Sequence, residues 1–169
     1  MKRLLAICVA GISIGAGGGL PSLVDAVKNA DTAAVRALIQ KKVDINAAEA
    51  DGTTALHWAA YRDDLESADL LIHAGARVNA ATDLGVTPLW NASQNGSGTM
   101  VGKLLAAGAN PNTALLAGET PLMVASRGGY PAVVEQLIAG GANVNAHGSR
   151  GQPERRGADQ LRRKIEVVR

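Results

Sequence analysis

The sequence predicts an all-α solenoid, built of helix-turn-helix units joined by extended turns. The first observation behind this is a fixed period of 33 residues, kept by Gly52, Gly85, Gly118 and Gly151, by Thr54, Thr87 and Thr120, and by Leu56, Leu89 and Leu122. The second is composition. The chain is 47% hydrophobic, yet it has 2 Trp, 2 Tyr and no Phe. A core made of Ala, Leu, Val and Gly suits thin, closely spaced layers rather than one bulky centre.

The register extends over the whole unit. Ala59, Ala92 and Ala125 keep it, as do Leu71, Leu104 and Leu137, the pairs Gly75-Ala76, Gly108-Ala109 and Gly141-Ala142, and the row Asn46, Asn79, Asn112 and Asn145. Each slot has a physical reason. In Thr87-Pro88-Leu89 and Thr120-Pro121-Leu122 the threonine caps free amides at a helix start, and proline takes the first helical position, where its missing N–H costs nothing. The small residues Ala59, Ala60, Ala92 and Ala125 let this first helix approach its neighbours. The chain turns back near Gly96 and Gly129. A second helix follows in SADLLIHAGA, MVGKLLAAGA and AVVEQLIAGGA, and Gly75, Gly108 and Gly141 fall just past its end, where a left-handed residue closes a helix. Stretches such as Asp83-Leu84-Gly85 carry the residues of a turn.

These motifs identify a resemblance. TALHWAA, TPLWNAS and TPLMVAS are similar to the T-P-L-H-x-A signature of ankyrin repeats, and GARVNA, GANPNT and GANVNA resemble the second conserved block of that family. The resemblance covers residues 20–149. It divides them into a degenerate first repeat, 20–50, where Lys42-Val43 replaces Gly-Ala, and three regular repeats at 51–83, 84–116 and 117–149. A degenerate terminal repeat suits a cap that packs on one side.

The ends read differently. Residues 1–19 run from Lys2 and Arg3 through an apolar stretch, Leu4 to Ile14, into small residues. That is the outline of a secretory signal cut between Gly15 and Leu20. A spanning helix needs about 20 apolar residues, so no stable membrane insertion is expected after cleavage. Cys8, the one cysteine, lies inside this segment; Ile7 before it does not suit lipidation. The expected location is periplasmic or secreted. Residues 150–169 form a basic tail in which Arg155 occupies a leucine slot. Burying that charge unpaired would be costly. The tail reads either as a divergent cap, with Leu161, Ile165 and Val168 on one helical face, or as the mark of truncation or frame loss, which the abrupt failure of the register after Gly151 favours.

Residues 20–149 carry 8 Lys+Arg against 12 Asp+Glu, a balance of −4, so the overall charge of +2 comes from the ends. This argues against nucleic-acid binding by the repeats. No zinc-ligand spacing, phosphate loop or nucleophile elbow is present, and no cofactor is called for. His57 sits in the TPLH position, where the resemblance implies a structural bond between loops, and His73 ends a second helix. Asp63, Asp64, Glu66 and Asp69 read as a solvated face. Asn91 falls where Trp58 and Val124 occupy the buried side of the first helix, and a hydrogen bond is expected to satisfy it.

The resemblance implies a monomeric, non-enzymatic module that binds a partner protein on a concave face of turn tips and first helices. The matching positions are Ala50, Asp51, Thr53, Tyr61 and Arg62; then Asp83, Leu84, Val86, Gln94 and Asn95; then Leu116, Ala117, Glu119 and Arg127. Tyr61 and Arg62 lead, because aromatic and arginine side chains dominate hot spots, and Leu84, Leu115 and Leu116 are expected to expose apolar tips. The alternative is a fragment of a longer repeat protein with no partner of its own. The pattern of residues 1–19 predicts that mass spectrometry of the native protein finds a mature N-terminus between Gly15 and Leu20; an intact Met1 on soluble cytoplasmic protein would reject export.

Overall fold

The computed structural model describes residues 21–148, so the apolar segment 1–19, Arg155 and the tail lie outside the described residues. Among the described residues, eight helices alternate as short antiparallel pairs: α1 Leu23–Lys28 with α2 Thr32–Gln40, α3 Ala55–Arg62 with α4 Leu65–His73, α5 Pro88–Asn95 with α6 Gly98–Ala106, and α7 Pro121–Gly128 with α8 Pro131–Ala139. First helices stack on first helices and second on second, giving two parallel rows. The fold is the expected all-α solenoid.

Capping chemistry sets the helix starts. Thr87 and Thr120 accept from the amides of Trp90 and Met123, with proline at the first position of α5 and α7. The second helices use another slot of the period: Asp31, Asp64 and Ser97 each accept from the amide three residues on. In α8 that slot holds Tyr130, which makes no cap.

Packing follows the small residues. Ala59, Ala92 and Ala125 are completely buried, and Leu56, Leu71, Leu89, Leu104 and Leu137 are buried around them. A methyl at the contact brings first helices close enough for flanking leucines to fill the space between rows. Full burial of each such leucine contributes roughly 1.5–3 kcal/mol. Ser93, buried one helical turn past Leu89, satisfies its hydroxyl by donating to the Leu89 carbonyl at 2.7 Å.

An asparagine row ties repeat to repeat. Asn46 Oδ1 accepts from Arg77 N–H at 2.7 Å while its Nδ2 donates to the Gly75 carbonyl at 3.3 Å. Asn79 does the same with Asn110 and Gly108, and Asn112 with Asn143 and Gly141. The carbonyls so used belong to the left-handed glycines that close the second helices. They would otherwise be orphan acceptors. Ion pairs add further links: Arg36 meets Glu66, and Lys103 meets Asp69 at 2.7 Å, so two of the carboxylates expected merely to face solvent instead bridge neighbouring second helices. Asp64 caps α4, and Asp63 accepts from the Ser97 hydroxyl.

The turn closing each first helix is left-handed in all four repeats. Gly129 and Gly96 adopt it with φ of 73° and 72°, but the equivalent residues earlier in the chain are Asp63 and Ala30, at φ 56° and 54°. Asp63 recovers part of the cost through Ser97. Ala30, exposed and without a side-chain bond, cannot. Ala30→Gly is therefore expected to raise stability by about 0.5–1 kcal/mol, and Gly129→Ala, whose added methyl would meet nothing, to lower it by a similar amount. Thermal denaturation of the two variants checks both signs.

Candidate protein-binding surface

The extended turns are narrow hairpins. Glu49 N–H bonds the Thr53 carbonyl at 2.8 Å, Thr82 N–H that of Val86 at 2.9 Å, and Leu115 N–H that of Glu119 at 2.9 Å. Successive tips also bond each other through the backbone, Asp83 N–H to Asp51 O at 2.9 Å and Leu116 N–H to Leu84 O at 3.1 Å. Gly85 is forced by this stacking: at φ 83° it lies so close to the next hairpin that a Cβ would fall 3.1 Å from the Leu115 Cα. Leu115 is consequently half-buried, against the expectation of an exposed tip, whereas Leu84 and Leu116 are 66% and 77% exposed.

A groove of about 380 Å³ lies between the second and third repeats. Five of the sequence-derived positions line it: Asp51, Thr53, Tyr61, Leu84 and Val86. Trp58, Asn91, Thr82 and the edge of His57 complete it, none of them among the contact positions that the resemblance implies. Glu119 and Arg127 instead form an ion pair beside a second hollow in the fourth repeat, with Ala117 and Met123. Arg62, Asp83 and Gln94 are exposed but line neither. Asn95 has a structural task as well, since its Nδ2 donates to the Tyr61 carbonyl at 2.5 Å and to Ala60 at 3.3 Å, closing the end of α3.

The groove's aromatic wall is braced from behind. Lys28 pairs with Glu49 at 2.5 Å and lies 4.7 Å from the Trp58 ring centroid; the indole N–H donates to the other Glu49 oxygen at 2.8 Å. Tyr61 then packs edge-on against Trp58, with ring centroids 5.8 Å apart. The Lys28 ammonium, followed by the Trp58 N–H, holds the Glu49 carboxyl below the usual carboxylate range. The Thr53 amide does the same for Asp51.

His57 and Asn91 close the floor between repeats. His57 Nδ1 accepts from Thr54 N–H at 3.1 Å and faces the Thr54 hydroxyl at 2.8 Å, which requires the proton on Nε2; that nitrogen donates to the Val86 carbonyl at 3.0 Å. Asn91 Nδ2 donates to the His57 carbonyl at 3.2 Å. The expected loop-bridging histidine and the expected hydrogen bond to Asn91 are thus one connected arrangement.

Residues 23–72 match a family model described as ankyrin repeats (many copies), and residues 78–148 match one described as ankyrin repeats (3 copies). The chain belongs to the ankyrin-repeat family. No curated protein matches it. Ankyrin repeats are generally protein-interaction modules and typically non-enzymatic scaffolds. In this ankyrin domain, no described helix is long and apolar enough to cross a membrane.

Burial pushes the His57 imidazole below its ordinary pKa of 6.5, although the Val86 carbonyl favours the charged form. The unfolded chain therefore binds a proton before the folded one does, and the stability His57 confers is complete above 6.5 and falls as pH drops below it. His57→Gln keeps an acceptor for Thr54 N–H and a donor for Val86 but cannot titrate. Between about pH 7 and about pH 5, denaturant midpoints should fall more for the wild type than for this variant. Parallel curves would assign the pH dependence elsewhere.

Proposed function

We propose that the chain is an exported, non-enzymatic ankyrin module, acting as a monomer, that binds a partner protein through the groove and hairpin tips of its second and third repeats. The carrying observation is the exposure of large apolar side chains along one edge: Tyr61 is 54% exposed and Leu84 66%, flanking a preformed groove with a braced aromatic wall. Exposed apolar surface bordered by polar residues marks interaction sites. Rigid tips reduce the ordering cost of association. Leu116 extends the same apolar edge toward the fourth repeat. A periplasmic or secreted setting follows from the pattern of residues 1–19, and a mature chain without Cys8 would need no reducing environment.

The test is affinity capture from the native host with the wild-type protein and with Tyr61→Ala/Leu84→Ala as paired baits. A partner held by the wild type should be lost by the variant, with a penalty of about 2 kcal/mol or more, roughly thirtyfold in Kd. Unchanged circular dichroism of the variant separates recognition from folding. Equal retention by both baits would move the site off this groove.

A further inference from the structure

We infer that the groove between the second and third repeats receives a cationic side chain, lysine or arginine, presented beside an apolar residue of the partner. This rests on the protein-binding reading above and specifies the chemistry of its anchor. Asp51 is the one charged side chain lining the groove: His57 is 1% exposed, and the hydrogen bond that Nδ1 accepts keeps it neutral. Around it stand Trp58, Tyr61, Leu84 and Val86, which are apolar or aromatic.

Among the described residues no lasting counter-charge faces Asp51, because His57, whose charged form would favour the carboxylate, is buried and neutral. Glu49, Glu66, Asp69 and Glu119 are each matched by a named cation, Lys28, Arg36, Lys103 and Arg127. Asp51 accepts from Thr53, and among the described residues it forms no ion pair. Its nearest tip neighbour across the backbone bond is Asp83, a further negative charge. The partner's chemistry follows by elimination. An acidic anchor would be repelled, and a purely apolar one would desolvate the Asp51 carboxylate with nothing to replace water. A long basic side chain meets both demands, with its aliphatic stem along Leu84 and Val86 and its head against Asp51 and the aromatic wall.

Selection of a random-sequence phage-displayed peptide library on the full chain tests this, followed by calorimetry of synthetic peptides against the wild type, Asp51→Asn, Tyr61→Ala and Leu84→Ala. The expected peptides pair Lys or Arg with an apolar neighbour. They should bind Asp51→Asn about tenfold or more weakly than wild type, the loss of one charge-assisted contact. Replacing the peptide's basic residue by norleucine should weaken wild-type binding but hardly alter binding to Asp51→Asn. Asparagine keeps an acceptor for Thr53, and an unchanged melting temperature verifies the fold. Peptides that need Tyr61 and Leu84 but no basic residue, or that bind Asp51→Asn as well as wild type, would overturn the cationic anchor and leave the protein-binding reading standing. Acidic peptides would also overturn it. Peptides indifferent to all three variants, or a selection yielding none, would overturn both.

Discussion

The asparagine amide near the end of each of the first three repeats is the interaction on which the stack depends. A helix pair this short cannot hide its apolar face alone, so its fold is conditional on a neighbour placed at the right distance and rotation. Hydrophobic contact supplies most of the energy but is indifferent to small slips. The Asn46, Asn79 and Asn112 side chains remove that freedom, because one oxygen and one NH2 must reach an amide and a carbonyl of the following repeat together. The carbonyl belongs to a residue in left-handed conformation, which turns it away from its own helix. Glycine at 75, 108 and 141 and asparagine at 46, 79 and 112 are two halves of one device.

Within this even frame the junction between the second and third repeats is unlike the rest. The slot of His57 is filled by Trp90 and Met123 in the next two repeats, and the slot of Trp58 by Asn91 and Val124. So the histidine that bonds both its own helix start and the next hairpin occurs here, and so does the asparagine that reaches back to its carbonyl. Moving from Trp58 to Asn91 also removes bulk. An indole followed by a short amide one repeat later leaves a hollow where two equal side chains would have met, and the groove occupies that hollow.

Much of this was legible in the chain, and the reason is periodicity: a residue repeated at the same slot under the same constraint identifies the constraint. The threonine caps and the left-handed glycines were read that way, whereas the structural role of His57, which does not recur at its slot, came from the resemblance of TALH to the family signature. What escaped was whatever the period does not mark. Ala30 and Asp63 adopt the turn of Gly96 and Gly129 without any side-chain signature, because the neighbouring helices impose the backbone there. Asp69 and Glu66 looked like surface charge, since their partners Lys103 and Arg36 lie a whole repeat away. Asn95 looked like a free contact residue although its amide closes α3. Trp58 packs against the core as its slot suggests, but it also forms a groove wall, because the side chain at the same slot of the next repeat, Asn91, is small.

The same logic separates what this solenoid must keep from what it is free to vary. Thr54, Leu56, Ala59 and their equivalents are fixed by packing, whereas the tip slots hold Asp51, Leu84 and Ala117 in turn, an acid, a branched hydrophobe and a methyl. Such dissimilar residues share a slot because the backbone beneath them is set by Asp51 O to Asp83 N and Leu84 O to Leu116 N, not by the side chains. The tips can therefore change chemistry without changing position. In the complex proposed above, a partner meeting them would find charge and apolar surface already spaced by the stack, so little of its binding energy would go to ordering the receptor. The asparagine row that holds the repeats in register thereby holds the hairpin tips in register too.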